Sequence, residues 1–430
     1  MKALLILLIF LLSSCETKSV YKHHGSSSIE ANFLKSQQVL SNRKALLNET
    51  TLDQKADLFE KYILKRMHPK YMLAPKLYIE GKPGKLRMDM TALFLSALAY
   101  KFACSKAPQD KLKIIKSIES IIEADRSNGL DGFIPYQMTI KNDKIQSFRN
   151  DTHINVYTQL LFAYIPLLKL SNDEDIKNKV LEHLDLIIKH LQRTNFQLVD
   201  HLGKEIEYSD LSPSRFTLQT NRQQLLLVFV DLALKYKLGK NIQKTRSLIK
   251  DYGYENDIQS MHFKFLNLEF PTHSSSWLNL MNSYIGYHID NAEYFKNAYL
   301  SLYHHYEDEK NLLFILMLES MQADKENLIQ AEKILNEFPA NPTNHEVINS
   351  LDENLDIIKN APFVKLKREL EVKEPLPIYK RPMRSFEWKL NQMRVDGNFK
   401  SKGQFTYTGI DYLIAYWMLK WLQKDMNDQI

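Results

Sequence analysis

The side chains able to do chemistry in this chain gather in short polar stretches, each leading into a strongly apolar run. Arg87-Met88-Asp89-Met90-Thr91 precedes ALFLSALAY. Asp131-Gly132-Phe133-Ile134-Pro135-Tyr136, then Arg149-Asn150-Asp151-Thr152-His153-Ile154-Asn155-Val156-Tyr157, precede QLLFAYIPLL. A third stretch, Glu205 to Arg222, carries Tyr208, Asp210, Asn221 and Arg222. Thr272-His273-Ser274-Ser275-Ser276-Trp277 is a fourth, and Tyr407 with Asp411 and Tyr412 the last. These residue types suit proton transfer. His153 or Tyr157 is the candidate proton-transfer group, with Asp131, Asp151 or Asp411 as its carboxylate partner. Asp89, Tyr136, Asn155, Asn221, Arg222, Trp277, Glu387, Trp388 and Tyr412 are candidates to bind substrate. A second reading stays open, in which Asp89, Asp151 and Asp411 cap helices and His153 is a hydrogen-bonded core residue.

Other chemistries lack their signatures. No H-E-x-x-H, C-x-x-C, G-x-G-x-x-G or G-x-x-x-x-G-K-[ST] occurs, so no metal or cofactor is expected. Gly81-Lys82-Pro83-Gly84-Lys85 lacks the phosphate-loop spacing, and Ser274–Ser276 lacks the strand–turn–helix context of a nucleophile elbow. His23-His24 and His304-His305 read as solvated pairs. The net charge of +6 is spread along the chain and forms no nucleic-acid footprint. Cys15 and Cys104 are the two cysteines. Cys104, inside an apolar run, reads as a small buried hydrophobe. Glycine is scarce at 12 residues, against 22 Tyr, 21 Phe and 4 Trp, which argues against β-sandwiches and glycine-rich nucleotide loops.

The elements that must position these residues are helices. Apolar periodicity predicts helices over 29–47, 52–67, 88–104, 109–126, 151–170, 173–193, 221–236, 242–252, 274–288, 292–306, 310–321, 325–338, 345–359 and 409–423. Pro108 opens one helix, and Asp151 and Asp173 are expected N-caps. Segments 136–148, around Asn142-Asp143, and 198–208, around Gly203, read as small hairpin insertions. Helices that are apolar all round (TALFLSALAY, QLLLVFVDLAL, LLFILML) alternate with amphipathic ones such as KNKVLEHLDLIIKHLQR. The first kind is buried and the second lies at the surface. Six such alternations predict an all-α fold, an (α/α)6-type toroid, with inner helices starting near 88, 151, 221, 274, 310 and 409. The N-terminal helices 29–67 complete the outer layer. The long loops all lead into inner helices, so they collect at one mouth, where converging helix N-termini suit carboxylates or anionic sugars.

Two resemblances add to this reading. Lys2, the apolar run Ala3–Leu12 and the closing Leu12-Ser13-Ser14-Cys15 resemble the signal peptide and lipobox of bacterial lipoproteins. That implies removal of residues 1–14, acylation of Cys15, and anchoring to a lipid bilayer of the cell envelope; Glu16 after the cysteine points to the outer membrane. Residues 15–28, polar and Ser-rich, then form a flexible tether, and 29–430 a single toroid domain. The toroid pattern over 80–425 resembles the six-hairpin glycosidase and polysaccharide-lyase architecture. Arg384-Ser385-Phe386-Glu387-Trp388 followed by Gly409-Ile410-Asp411-Tyr412-Leu413-Ile414-Ala415-Tyr416-Trp417 looks like the C-terminus of bacterial toroid lipoproteins. This implies a carbohydrate-active protein acting on a polysaccharide. Hydrolysis would need two carboxylates about 5–10 Å apart across the mouth; elimination would pair a Tyr or His base with an Arg or Asn neutralising a uronate. The alternative is a non-catalytic surface lipoprotein binding a glycan, peptide or partner protein in the same cleft.

The anchor has a direct test. Cys15→Ala should abolish incorporation of labelled fatty acid into the chain, read by metabolic labelling and the mass of the N-terminal peptide. Equal label in both forms would refute acylation at Cys15.

Overall fold

A computed structural model describes residues 50–428 apart from 77, 80–81, 148–150, 215–219, 260–272, 323–324, 340–356, 359–370, 379–380, 382–385, 390, 394–404 and 407. The expected helices over 29–47 and most of 345–359, the lipobox, the tether, and Arg149, Asn150, Thr272, Arg384, Ser385 and Tyr407 lie outside the described residues.

Six inner helices form the ring among the described residues: α2 (Met88–Ser105), α4 (Ile154–Leu170), α6 (Thr220–Tyr236), α9 (His273–Asp290), α11 (Leu312–Glu319) and α13 (Ile410–Asp428). Every residue from Met88 to Tyr100 is buried, which is the outcome an all-round apolar sequence demands. The outer helices are α1 (Leu52–Arg66), α3 (Pro108–Arg126), α5 (Glu174–Arg193), α7 (Ile242–Asp251), α10 (Glu293–Tyr306) and α12 (Lys325–Asn336); α8 (Tyr254–Asp257) is a single turn. On α5 the buried stripe is Ile176, Val180, Leu184, Ile187 and Leu191, with the opposite face solvated. The ring closes because α13 packs on α2, α2 on α4, α4 on α9, α9 on α6 and α11, and α11 on α13. Each outer helix packs behind its inner partner, and α1 lies against α13. The architecture is an α/α toroid. Contact of α9 with both α4 and α6 narrows the ring.

Its far end is filled by aromatic side chains. The Tyr100 and Tyr284 hydroxyls meet at 2.6 Å across the ring, Phe162 lies 5.3 Å from Tyr284, and Trp421 lies 5.5 Å from Tyr100. Access is therefore from the end where the inner helices begin.

Small antiparallel sheets decorate that end. β4 (Gln137–Lys141) and β5 (Lys144–Ser147) form the expected hairpin, turning at Asn142 and Asp143 with φ of 50° and 55°, as a type I′ turn requires. β6 (Gln197–Val199) and β7 (Glu205–Asp210) form the second. β3 (Leu86–Arg87) pairs with β4, Leu86 opposite Met138 and Arg87 opposite Gln137. β1 (Tyr78–Ile79) lies between β2 (Lys82–Pro83) and β10 (Phe405–Thr406). The residues 357–358, expected at the end of a helix, instead form β8 (Ile357–Ile358), paired with β9 (Glu371–Val372). Two β-branched residues side by side favour an extended partner over a final helical turn.

Two further expectations change. Asp173 caps α5 as expected, its carboxylate accepting from Ile176 N at 3.2 Å, but α4 is capped by His153 and not by Asp151. Cys104 is half-buried in the last turn of α2, and burial raises its thiol to about 11.

Gly409 sets the start of α13. Its φ is +81°, and a Cβ there would sit 2.0 Å from the Phe59 ring, which itself stacks on Tyr412. Gly409→Ala therefore combines backbone strain with overpacking. It should lower stability by about 2 kcal/mol, read as a fall in melting temperature.

Candidate functional site

The mouth is assembled from the starts of the inner helices, joined by backbone hydrogen bonds. Met88 N donates to Tyr136 O at 3.2 Å, and Tyr136 N donates to Asp151 O at 2.9 Å, so the lead-ins to α2 and α4 are fastened together. This places Arg87, Asp89, Tyr136, Asp151 and His153 side by side. Arg87 grips Asp89 with two bonds, Nε to Oδ1 at 3.0 Å and Nη2 to Oδ2 at 2.6 Å, in a fork geometry available to guanidinium alone. Its plane also covers the Tyr136 ring, 3.8 Å from the centroid, and it bonds the Tyr136 hydroxyl. Burial, then the charge of Asp89, raises the Tyr136 phenol above its ordinary value. The Tyr136 and His153 rings are 5.9 Å apart.

His153 is exposed into the mouth, so it is not a core residue. It is the N-cap of α4, and its Nδ1 accepts from Asn155 N at 3.1 Å. Surrounding protein lowers its pKa, chiefly by desolvation and next through the Lys389 charge. The neutral ring is thereby favoured. With Nδ1 engaged as acceptor, the proton of that neutral ring sits on Nε2, and His153 faces the mouth as a donor.

The other wall is built around a 3-10 turn, Glu387–Lys389. Lys389 O meets His273 Nδ1 at 3.1 Å, and His273 Nε2 meets Glu309 Oε2 at 2.8 Å. A carbonyl only accepts, so His273 Nδ1 carries a proton. Asn311 Nδ2 donates to Trp388 O at 2.9 Å, and the Trp388 indole donates to Asp411 O at 2.8 Å. Arg381 holds the buried Glu387 at 2.8 Å. Asp411 is buried, and its carboxyl accepts backbone N–H groups from Tyr412 and Glu387. Burial, then the neighbouring Glu387 charge, raise it to about 7. Burial lowers the Lys389 pKa, and the charges of Asp89, Arg87 and Lys76 act on it.

Below the mouth the ring interior is polar. Thr158 bonds Asn282 at 3.0 Å, Asn282 donates to Asn221 O at 3.2 Å, and Gln224 donates to Ser283 at 2.9 Å. Gln159 is fully buried with neither amide atom partnered, and Asn155 and Asn279 each leave a carbonyl oxygen without a partner. Buried amides in that state mark a place for water or ligand hydroxyls.

The structure thus brings together Asp89, Tyr136, Asp151, His153 and, behind them, Asn155; Glu387, Trp388 and Asp411 form the facing wall. Asn221 lies below it in the ring interior, the Trp388 side chain is enclosed within its wall, and Asp131, Tyr157, Arg222, Trp277 and Tyr412 are not brought to this surface. Asp131 is exposed on the outer rim, 3.8 Å from Arg126, with its carbonyl bonded by Arg193. Tyr157 is buried in the ring, and burial raises its phenol above the ordinary value. Trp277 and Trp388 are fully enclosed, with Trp277 against Phe314 and Phe386. Tyr412 stacks on Phe59 and donates to Leu52 O. None of these three offers a face for a sugar to stack on. Arg222 lies beside Asp210, apart from the Arg87 cluster, with Nη1 to Asp210 O at 3.5 Å. Glu309, Arg381, Lys76 and Lys389 complete the site and were not singled out by sequence; Arg87 and His273 lay in the polar stretches without an assigned role. Lys389 directly follows Glu387-Trp388, which is the one local signal that pointed toward it.

No family model matches the sequence, and no curated protein matches it. Solved structures do match in fold. A cellobiose 2-epimerase from Spirochaeta thermophila is 8% identical, with 91% of this chain and 98% of that chain covered and a TM-score of 0.46. A GH76 α-mannanase from Bacteroides thetaiotaomicron is 8% identical, covering 90% and 99%, with a TM-score of 0.49. A D-mannose isomerase is 10% identical, covering 88% and 99%, with a TM-score of 0.44. At such identities and scores no residue role transfers from them.

Asp411 makes stability depend on pH with a defined sign. Its folded pKa of about 7 exceeds its ordinary value of 3.8, so between those values the folded state holds a proton that the unfolded state has lost. Its contribution is full below about pH 4 and falls by up to about 1.4 kcal/mol per pH unit until about pH 7. Asp411→Asn should remove that slope. Urea melts of both forms at pH 5 and pH 8 should show the variant gaining on the wild type at pH 8; parallel losses would contradict the assignment.

Proposed function

We propose that the chain is a carbohydrate-active protein of glycoside hydrolase or polysaccharide lyase type, anchored to the envelope, and in particular the outer membrane, through acylated Cys15, with its substrate bound at the mouth of the toroid. The observation that carries this reading is the convergence of Arg87–Asp89, Tyr136, His153 and the Lys389 turn over a polar ring interior whose amides lack partners. Such a surface offers many donors and acceptors to a polyhydroxylated ligand and little apolar area. Within it, Asp151 is half-buried with one carboxylate oxygen unpartnered, and is the candidate base. Asp411, whose carboxyl burial raises to about 7, is the candidate acid. His153 Nε2–H is placed to hold a developing negative charge.

The second reading, binding of a glycan without chemistry, is favoured by one observation. The Asp411 carboxyl is almost enclosed behind Trp388 and bonded to backbone N–H groups, as a purely structural carboxyl would be.

Asp151→Asn separates the two. It is isosteric and leaves the Tyr136 N to Asp151 O bond intact. Under the catalytic reading it should lower turnover by about 10²-fold or more, with glycan affinity little changed. Turnover is read as release of soluble fragments from a glycan panel by the detergent-solubilised full chain. Binding without release by the wild type would select the second reading. Neither binding nor release on any glycan would remove both.

A further inference from the structure

Beside the mouth lies a second cavity that the site above does not use. It is a groove of about 530 Å³ between the end of α1, the turn joining β2 to β3, and β4. Small-molecule sites typically enclose about 300–1,000 Å³. Its apolar lining is Met67, Leu73, Leu86, Met138 and Ile140. Strand register accounts for three of these: Leu86 lies opposite Met138, and Ile140 follows two residues on, so all share one face of the sheet. Leu73 and Met138 are fully buried and fix the floor. The charged residues that line the groove are all basic: Arg66, His68 and the exposed Lys85 and Lys141. No carboxylate lines it among the described residues. Arg66 is held over the Tyr62 ring, 3.6 Å from the centroid. Asp143 reaches His68 Nε2 at 3.5 Å, but its side chain is 82% exposed.

We infer that this groove binds a free fatty acid, with the acyl chain on the five apolar side chains and the carboxylate among the basic residues. The walls select against other occupants. Both edges of the strands that line it are already paired. β4 lies between β3 and β5, and the outer side of β3 is met by Pro75 opposite Leu86, by Lys76 N to Lys85 O at 3.3 Å and by Arg87 N to Ala74 O at 3.0 Å. A peptide laid there would bury amides that find no partner. A sugar fares no better. Beyond the basic residues, Thr139 is the one lining side chain with a hydroxyl or amide, and no Tyr, Phe or Trp lines the groove among the described residues. A methylene chain needs neither kind of partner. The flexible thioethers of Met67 and Met138 adapt to such a chain. The cluster of positive charge then favours a carboxylate over a neutral head, less so as salt screens it. The groove is separate from the mouth, and its occupancy is independent of the chemistry there.

The test follows dodecanoate and dodecanol binding to the full chain in neutral phosphatidylcholine nanodiscs at pH 7 and low salt. Isotope-labelled methionine methyl groups are read by NMR, with Met67 and Met138 assigned through their volume-conserving Met→Leu variants. Dodecanoate should shift the Met67 and Met138 signals saturably and leave Met281 and Met317, buried in the ring, unmoved. Exchanging both exposed lysines, Lys85→Gln with Lys141→Gln, should raise the dodecanoate midpoint by about fivefold and leave the dodecanol midpoint unchanged. Ile140→Glu, which sets a carboxylate in the groove, should abolish saturation; the exposed lysine pair remains informative if that variant folds poorly. Absence of a saturable shift at Met67 and Met138, or an unchanged dodecanoate midpoint in the double variant, overturns the assignment. A matching rise for dodecanol overturns recognition of the carboxylate. Displacement of dodecanoate by an acidic amphipathic peptide that shifts the same two methyls would assign the groove to a protein partner instead.

Discussion

The mouth depends on how the short turn Glu387–Lys389 satisfies its buried backbone. Glu387 N–H goes to the Asp411 carboxylate and Glu387 O takes a bond from Gln392; Trp388 O is met by Asn311 and Lys389 O by His273. Those partners belong to the starts of α9, α11 and α13. A buried polar backbone atom left unpaired costs on the order of 1–3 kcal/mol. Three inner helices are therefore registered against one turn, with the indole N–H of Trp388 adding a further bond to Asp411 O. Once the turn is fixed, so is the Lys389 backbone, and the charges of Asp89 and Arg87 on the facing wall act on its ammonium.

That facing wall is built by different means. β3 runs straight into α2, the β4–β5 hairpin pairs alongside it, and the Tyr136–Asp151 bond carries the alignment to the start of α4. Two consequences share one cause. Pairing with β4 puts Leu86 opposite Met138 and Arg87 opposite Gln137, so alternation along the strand sends Arg87 toward the ring while Leu86 lines a separate groove of about 530 Å³ with Met138 and Ile140. A one-residue slip would exchange them and remove the Arg87–Asp89 pair from the mouth.

Stability and chemistry are distributed unevenly along the toroid axis. At the far end Tyr100, Tyr284, Phe162 and Trp421 fill the ring with aromatic contacts. Toward the mouth these give way to Thr158, Gln159, Asn279 and Asn282, which would be poor choices for a core that only had to pack. The gradient from apolar to polar along one axis is what a ligand cleft with a closed floor requires.

The sequence by itself determined the helices, their alternation between all-round apolar and amphipathic, and the two hairpins, because periodicity and turn chemistry are local properties. The pattern TALFLSALAY has no solvent-facing stripe, so α2 had to be inside; KNKVLEHLDLIIKHLQR has one, so α5 had to be outside. It also marked Asp89, Tyr136, Asp151 and His153 as lying where inner helices begin. Tertiary structure alone decided which of these polar residues face one another. Asp131 and Asp151 look alike in sequence, yet the Tyr136–Asp151 bond draws one into the mouth while Arg126 and Arg193 hold the other on the rim. His153 and not Asp151 caps α4, because the helix starts three residues later than its apolar pattern suggests. Trp277, Trp388 and Tyr412 are spent on packing, since burial of large rings stabilises the ring more than exposure would. Lys389 and Asp89 are 300 residues apart, and no local rule joins them; only closure of the ring, α13 against α2, brings the charge of one to the other.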